Sequence, residues 1–471
     1  MKSLLAKNIA WSAYGVVLTQ AITFITLLIL IRNLTPSDFG LVNMVVIIAG
    51  FANVIADFGF GQALIQNKEA KEIDYSTVFW VNIVLGSMIA IVIFFSSGYI
   101  SSLYGHKELA LITRVLSIKY IFSSTIIVQK IWLQKNLNFK LNANIDIAVN
   151  TLTSIITVLA VYLGFGYWSL VLQTIAESLF AMILFALYVN WKPTFHFSIS
   201  SLKKLSKFST DIFLNQSLFY WTSNLDKILI GKFLGNSALG VYKNAFAVIN
   251  KPVAILSSTL LRVLFPSYSL LQNNIPELRS IVIKLFKAIG IIVIPSCLVL
   301  YLSANFIIST YLNTDWLESI PLVKIFSLAA IPFAFSSITS PVYLALGRSR
   351  LILTINLVTR SLLIILVYVA LNKGLIAIAY VVLGINLLRL LIDIIQFRSL
   401  LGIKMIGYKF SFDLSSITFL LLSFELILFL LQGNVDSLAN LALLLVITYL
   451  LVMTNLITNF SRKFQKFVPF K

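Results

Sequence analysis

Apolar residues fill this chain in runs of about 20, the length a helix needs to cross roughly 30 Å of hydrocarbon. The runs recur from end to end and are parted by short polar breaks. The pattern predicts fourteen spans, near 9–32, 41–65, 77–100, 112–133, 143–164, 167–189, 208–232, 240–270, 282–302, 320–345, 351–371, 375–397, 413–432 and 438–459. Thr35-Pro-Ser-Asp38 reads as a helix start: Thr35 caps, Pro36 suits the first helical position, and Asp38 bonds back to the cap. Pro252, Pro295, Pro332 and Pro341 fall inside spans, where each removes a backbone hydrogen bond and predicts a bend. The first run, preceded by Lys2 and Lys7, is too long for a signal peptide and reads as the first membrane helix.

The stretch from Asn224 to Tyr242 ends one long apolar helix, turns within a few residues and starts another. It echoes an earlier stretch: Leu34, Ser37 and Gly40 recur as Leu234, Ser237 and Gly240, and Arg32 aligns with Lys232. Asn236 and Ser237 then stand where the first helix start stands. The echo suggests two lobes built on one plan. The expected organisation is an N-terminal six-helix lobe over 1–190, a cytoplasmic amphipathic linker over 191–207, a C-terminal six-helix lobe over 208–400, and two further helices with a basic tail over 401–471.

Composition sharpens this reading. The chain is 59% hydrophobic and 11% charged, whereas soluble domains are about half apolar and a quarter charged. The net charge of +19 would hint at nucleic acid in a soluble chain. Here its placement matters more. With the N-terminus inside, twenty-three Lys and Arg fall in inner segments and four, Arg32, Lys107, Lys232 and Lys373, in outer ones. That bias predicts both termini in the cytoplasm and no nucleic-acid partner. Lys203, Lys204 and Lys207 suit the linker to an anionic lipid surface. The single cysteine, Cys297, excludes an intramolecular disulfide, and His106 and His196 stand far apart in loops. Neither a metal cluster nor a cofactor is expected. With no Walker-type loop, ATP hydrolysis is not expected either.

Several stretches together carry a resemblance. They are Asp57-Phe-Gly-Phe-Gly-Gln-Ala-Leu-Ile-Gln66, Val78-Phe-Trp-Val-Asn82, Gly164-Phe-Gly-Tyr-Trp-Ser-Leu-Val-Leu-Gln173, Asn224-Leu-Asp-Lys-Ile-Leu-Ile-Gly231, Leu239-Gly-Val-Tyr242 and Arg262-Val-Leu-Phe-Pro-Ser-Tyr-Ser269. In this order and spacing the chain resembles the polysaccharide-exporting (Wzx-type) branch of the multidrug/oligosaccharidyl-lipid/polysaccharide flippase superfamily. The resemblance covers most of 1–400. It implies an all-α polytopic membrane protein: two pseudo-symmetric six-helix bundles around a central cavity, plus two C-terminal helices, working by alternating access. It implies a multi-pass protein of the bacterial plasma membrane. The expected partners are membrane lipids and a lipid-linked oligosaccharide, with a polysaccharide polymerase and glycosyltransferases as possible contacts.

A lipid-linked sugar repeat has a polyprenyl tail, a diphosphate and a large polar head. The head cannot cross hydrocarbon unaided. A carrier therefore needs a polar hollow lined with cations for the phosphates. The candidates are Lys227, Lys251, Arg262 and Lys243 in the second lobe, Arg114 and Lys119 in the first, and Arg360 in the eleventh span. Lys251 and Arg262 are eleven residues apart and share a helix face. Lys243 and Arg262 could instead snorkel to the two interfaces. Asp226, Asp57 and Glu177 are candidates for coupling to an ion gradient, as is Glu425 more weakly. Asp226 precedes Lys227, so their side chains should diverge by about 100°. The plainer role for Asp226 is to pair with Lys227 or Lys251. Arg389 and Asp393, four apart, have the spacing of an intrahelical ion pair. Trp80, Trp168, Trp191, Trp221 and Trp316 lie near span ends, where aromatic belts form.

The expected function is a flippase for an undecaprenyl-diphosphate-linked oligosaccharide, not an enzyme. Two alternatives are a cation-coupled multidrug exporter of the same superfamily, which needs an acidic site, and a membrane-embedded polymerase or ligase, which needs a sizeable outer loop. A non-transporting scaffold would leave the buried cations unexplained.

Overall fold

The structure is a computed structural model that describes residues 2–67, 69–272 and 274–402. Every regular element among them is helical. In chain order these are α1 (Lys2–Asn33), α2 (Pro36–Ala49), α3 (Phe51–Asp57), α4 (Phe60–Gln66), α5 (Glu72–Phe95), α6 (Ser97–Tyr104), α7 (Glu108–Ser117), α8 (Lys119–Lys135), α9 (Phe139–Tyr162), α10 (Trp168–Tyr188), α11 (Ile199–Leu270), α12 (Ile275–Tyr311), α13 (Ser319–Ala345), α14 (Ser349–Ala370) and α15 (Gly374–Leu401). Nine stretches of the described residues are long and apolar enough to cross a membrane, and one of them, Arg350–Leu401, holds both α14 and α15. The protein is thus a helical, multi-pass membrane protein. Helices occupy the first twelve ranges expected from the sequence, whereas 413–432 and 438–459 lie outside the described residues.

The helix starts follow the local chemistry. At α2 the Thr35 hydroxyl accepts from the Asp38 amide at 3.2 Å, and Asp38 Oδ2 accepts from the Thr35 amide at 2.9 Å, with Pro36 at the first position. This closes the donors a helix start leaves open. The second span is not one rod. It breaks at Gly50, and again at Phe58 (φ 44°) and Gly59 (φ 74°), which turn left-handed between α3 and α4. The Asp-Phe-Gly-Phe-Gly segment is loop-like for that reason. Near the first break, Tyr120 donates its hydroxyl to the Ala49 carbonyl and Tyr220 donates to that of Ile47. Carbonyls opened by the bend therefore keep partners away from water. In α11 a second break falls at Gly235 (φ 88°), which divides this 72-residue element into two helices.

Residues 190–198 lead from α10 into α11. They are not helical, and helix α11 starts only at Ile199, with the Ser198 side chain accepting from the Ser201 amide. The segment docks on α5. Trp80 Nε1 donates to the Thr194 carbonyl (2.8 Å), the Thr194 amide donates to Ser76 Oγ (3.1 Å), and the Ser198 amide donates to Thr77 Oγ1 (3.0 Å). Trp191 is buried among Tyr75, Phe79 and Trp132. Backbone donors and acceptors without helical partners need such anchors, and α5 supplies them. Trp191 and Trp316 are both buried rather than facing lipid, so the aromatic-belt reading does not hold for these two.

Packing falls into two sets of helices. Helices α5, α7, α8, α9 and α10 pack on one another and α1 on α9, while α11, α12, α14 and α15 pack on α13. Between the sets the main contact is α11 against α2, extended by α3 and α4.

Candidate functional site

The meeting of α2 with the second half of α11 is built from the repeated residues. Gly40 packs on the Asn236 backbone so closely that a Cβ there would overlap the Asn236 carbonyl. Gly240 packs on Pro36 in the same way. These are one contact seen twice: Gly40 moved on by 200 is Gly240, and Asn236 moved back by 200 is Pro36. This is the signature of a local two-fold relation. Asn236 Nδ2 donates to Ser37 Oγ at 2.6 Å, and Lys243 Nζ donates to Asn43 Oδ1, again a pair 200 residues apart. Lys243 is thus held between the two halves of the chain. Trp316 Nε1 donates to the Leu34 carbonyl at 3.0 Å and packs its edge on Phe39, which extends the same contact. Small residues let the backbones approach and polar groups hold them, as helix crossings in lipid require.

Toward the other end of α2–α4 the contact with α11 continues, and Gly59 lies close against the Ser209 carbonyl and Ile212. Phe58 stacks on Phe213 with ring centroids 4.5 Å apart. Lys204 and Glu69 lie 3.8 Å apart with both side chains mostly exposed, a pair of little energetic weight.

Inside the second set of helices lies a charged cluster. Asp226 is buried, and its Oδ1 is 3.1 Å from Lys227 Nζ. Its Oδ2 accepts from the Tyr242 hydroxyl at 3.1 Å. Lys227 Nζ also donates to the Ser223 carbonyl (2.6 Å) and sits 5.9 Å from the centre of the Phe246 ring. The expected divergence of Asp226 and Lys227 is overcome because the lysine stem folds back one turn to the carbonyl, which carries the ammonium to the carboxylate. Arg360, midway along α14, is within electrostatic reach of Asp226 and Tyr242 and also of Arg389 in the neighbouring Asp393 network. Its guanidinium makes no hydrogen bond or ion pair among the described residues. The cluster therefore holds two cations for one carboxylate.

A second carboxylate is satisfied outright. Asp393 is 1% exposed, accepts from Tyr343 (2.9 Å) and Thr339 (3.0 Å), and pairs with Arg389 at 3.2 Å. Arg389 Nη1 also donates to Asn356 Oδ1 at 2.6 Å. This network ties α13, α14 and α15 together; the four-residue spacing pointed only to the Arg389–Asp393 pair within it.

The remaining candidates are scattered. Lys119 starts α8 and lies within electrostatic reach of Glu177 on α10. Glu177 itself is exposed. Arg114 is exposed on α7, bonds Ser97 Oγ at 3.0 Å and covers the Phe94 ring. Asp57 is half-buried and accepts from the Gly61 amide at 3.3 Å, which caps α4. Lys251 and Arg262 lie on the second half of α11, but their side chains fall outside the described residues, as does Glu425. Of the cations expected to converge, the structure brings together Lys227 and Arg360, and it places Lys243 at the crossing of the two halves. The sequence reading missed Tyr242 as a partner of Asp226 and Asn43 as a partner of Lys243. Tyr242 was in view within the Leu-Gly-Val-Tyr motif, but only the turn at Gly235 brings it back to Asp226. No group of three or more potential metal ligands occurs among the described residues.

This combination of broken membrane helices and a two-fold crossing defines a fold class. The fold is shared with solved membrane transporters. One is the lipid II flippase MurJ in an inward closed conformation (TM-score 0.69, 14% identity, covering 96% of this chain and 99% of that one). Another is an inward-facing MATE-family multidrug resistance transporter of the MOP superfamily (TM-score 0.61, 15% identity, 82% and 96%). Residues 29–321 match the family of polysaccharide biosynthesis proteins, and the chain belongs to that family. Among similar proteins are the teichuronic acid biosynthesis protein TuaB of Bacillus subtilis (27% identical, 64% of this chain and 63% of that one) and the lipopolysaccharide biosynthesis protein WzxC of Escherichia coli (25%, 67% and 64%). The matches span a little under two thirds of each of these relatives.

Proposed function

We propose that this protein carries a lipid-linked oligosaccharide repeat unit across a bacterial plasma membrane by alternating access. The observation behind this reading is Arg360, a guanidinium with no bonded partner among the described residues, beside a cluster with one carboxylate for two cations. A charge in a membrane-spanning helix is costly and implies a function or a partner. Arginine suits phosphate, which it can bind through two parallel hydrogen bonds. The names of the relatives, concerned with teichuronic acid and lipopolysaccharide biosynthesis, support a polysaccharide precursor as the cargo. The name of a structural neighbour, a lipid II flippase, supports a lipid-linked one. An excess of positive charge counts against a site for cationic drugs, and the relatives' names favour a carrier over an enzyme.

In this reading the chain has fourteen spans, with two six-helix lobes over 1–190 and 208–400, and both termini lie in the cytoplasm. The crossing of α2 and α11 is then the outer gate, and the contact around Phe58 and Lys204 is the inner one. The inner contact combines ring stacking, an exposed ion pair and the close approach of Gly59 to the Ser209 carbonyl. The potential, negative inside, assists outward movement of an anion by about 2.3 kcal/mol per charge per 100 mV. Lys119 and Glu177 form the first lobe's share of the polar path. Glu177 and Asp57 are the groups through which an ion gradient would couple.

The test is export in a strain lacking its own repeat-unit flippase. Lys227→Gln combined with Arg360→Gln should cut polymer export at least about tenfold, equivalent to about 1.4 kcal/mol, with membrane levels of the protein unchanged. Undiminished export would remove the cluster from the mechanism.

A further inference from the structure

The Asp226 cluster has a feature that cargo binding alone does not explain. A site built for a diphosphate has no need of a buried carboxylate, which would repel it. Yet Asp226 stands within 3.1 Å of Lys227 and is held from its other oxygen by Tyr242. Its side chain is 9% exposed and that of Lys227 15%. Removing a carboxylate from water to this degree costs several kcal/mol unless its partners make good the loss.

We infer that Asp226 is the resident counter-anion of the cargo site: it pairs with Lys227 and lies within electrostatic reach of Arg360 when the site is empty, and the phosphate of the cargo takes its place. The inference deepens the proposed function and rests on it for the identity of the cargo, but anion binding can be tested apart from transport. The physical reason is a cost shared by both states. Two cations without an anion in the membrane interior would be strongly destabilising. Two cations permanently neutralised could not bind a phosphate. One carboxylate for two cations lies between these limits. It lowers the charge of the empty site without cancelling it, and it leaves the Arg360 fork open to an arriving anion.

The geometry fits an exchange. Lys227 keeps the Ser223 carbonyl as a second acceptor at 2.6 Å, so the ammonium is not stranded when the carboxylate gives way. Tyr242 donates to Asp226 Oδ2 and can retain the displaced carboxylate through that bond. The Asp393 network is the contrasting case. Its carboxylate has two hydroxyl donors and an arginine that is itself bonded to Asn356, and nothing in it is left open. Asp393 is therefore a fixed tie and Asp226 a displaceable one.

The test uses the purified full chain in detergent with inorganic pyrophosphate as the probe, and reads binding by calorimetry and by the shift in melting temperature. Asp226→Asn removes the competing charge and keeps the shape, so pyrophosphate should bind about tenfold more tightly, equivalent to about 1.4 kcal/mol. Arg360→Gln, which leaves Asp226 and Lys227 paired, should weaken binding at least about tenfold and still melt cooperatively. Unchanged or weaker binding by Asp226→Asn would overturn the inference, and so would undiminished binding by Arg360→Gln. If the binding changes appear as expected but export does not respond to either variant, the counter-anion stands and the transport reading fails.

Discussion

At the residue scale, the placement of a charge counts for more than its presence. Asp393 and Asp226 are both buried, both bond a tyrosine hydroxyl, and both pair with a cation. They differ in the arginine beside them. Arg389 has a second side-chain partner in Asn356, whereas Arg360, beside Asp226, has no bonded partner among the described residues. Deleting the fixed carboxylate should therefore damage the fold. Asp393→Ala strands Arg389 and two hydroxyls and should cost about 3–5 kcal/mol, seen as a large fall in melting temperature of the purified protein. A melting temperature within a degree or two of the parent would show that the network carries no structural weight. The sequence made half of this visible. The four-residue spacing of Arg389 and Asp393 pointed to their pairing, because both lie on one helix. The pairing of Tyr242 with Asp226 depends on a turn between two helices, and a linear reading has no measure of how such a turn closes.

At the element scale, helices break where a short motif supplies both the bend and the groups to heal it. The second span bends at Gly50 and at Phe58-Gly59, with Tyr120 and Tyr220 donating to carbonyls near the first bend. The glycines at the crossing do different work. Gly40 and Gly240 have ordinary helical angles, and what they supply is the missing side chain. Gly240→Ala would press a methyl group into the Pro36 backbone, which cannot move aside as a flexible side chain would. Overpacking of this kind typically costs about 1–3 kcal/mol. The loss should appear as a lower melting temperature together with faster labelling of a cysteine placed at Ser237. A variant that keeps both parent values would show that the close approach is incidental. The positions of the helices were legible because apolar runs are long and charges few. The echo of Leu34, Ser37 and Gly40 was legible as well. Its meaning was not, because a repeat in sequence does not say that the two copies touch. The docking of 190–198 was not legible for a related reason: Trp80, Ser76 and Thr77, which hold it on α5, lie more than a hundred residues earlier.

At the scale of the whole molecule, the two sets of helices meet through α2–α4 and α11, and the character of that contact changes along its length. One end is backbone on backbone, reinforced by Asn236, Lys243 and Trp316. The other adds a stacked ring pair and an exposed ion pair to the single close approach of Gly59 to the Ser209 carbonyl. The proposed carrier works only if both ends open in turn, and the tight end must part for cargo to leave. The most direct measurement is a reversible lock on that end. Ser37→Cys and Asn236→Cys, in a background with Cys297→Ala, would place two thiols where Ser37 Oγ and Asn236 Nδ2 now lie 2.6 Å apart. Export of polymer should stop when the disulfide forms and return on reduction, while either single variant exports throughout. Export that continues with the disulfide fully formed would contradict alternating access through this contact.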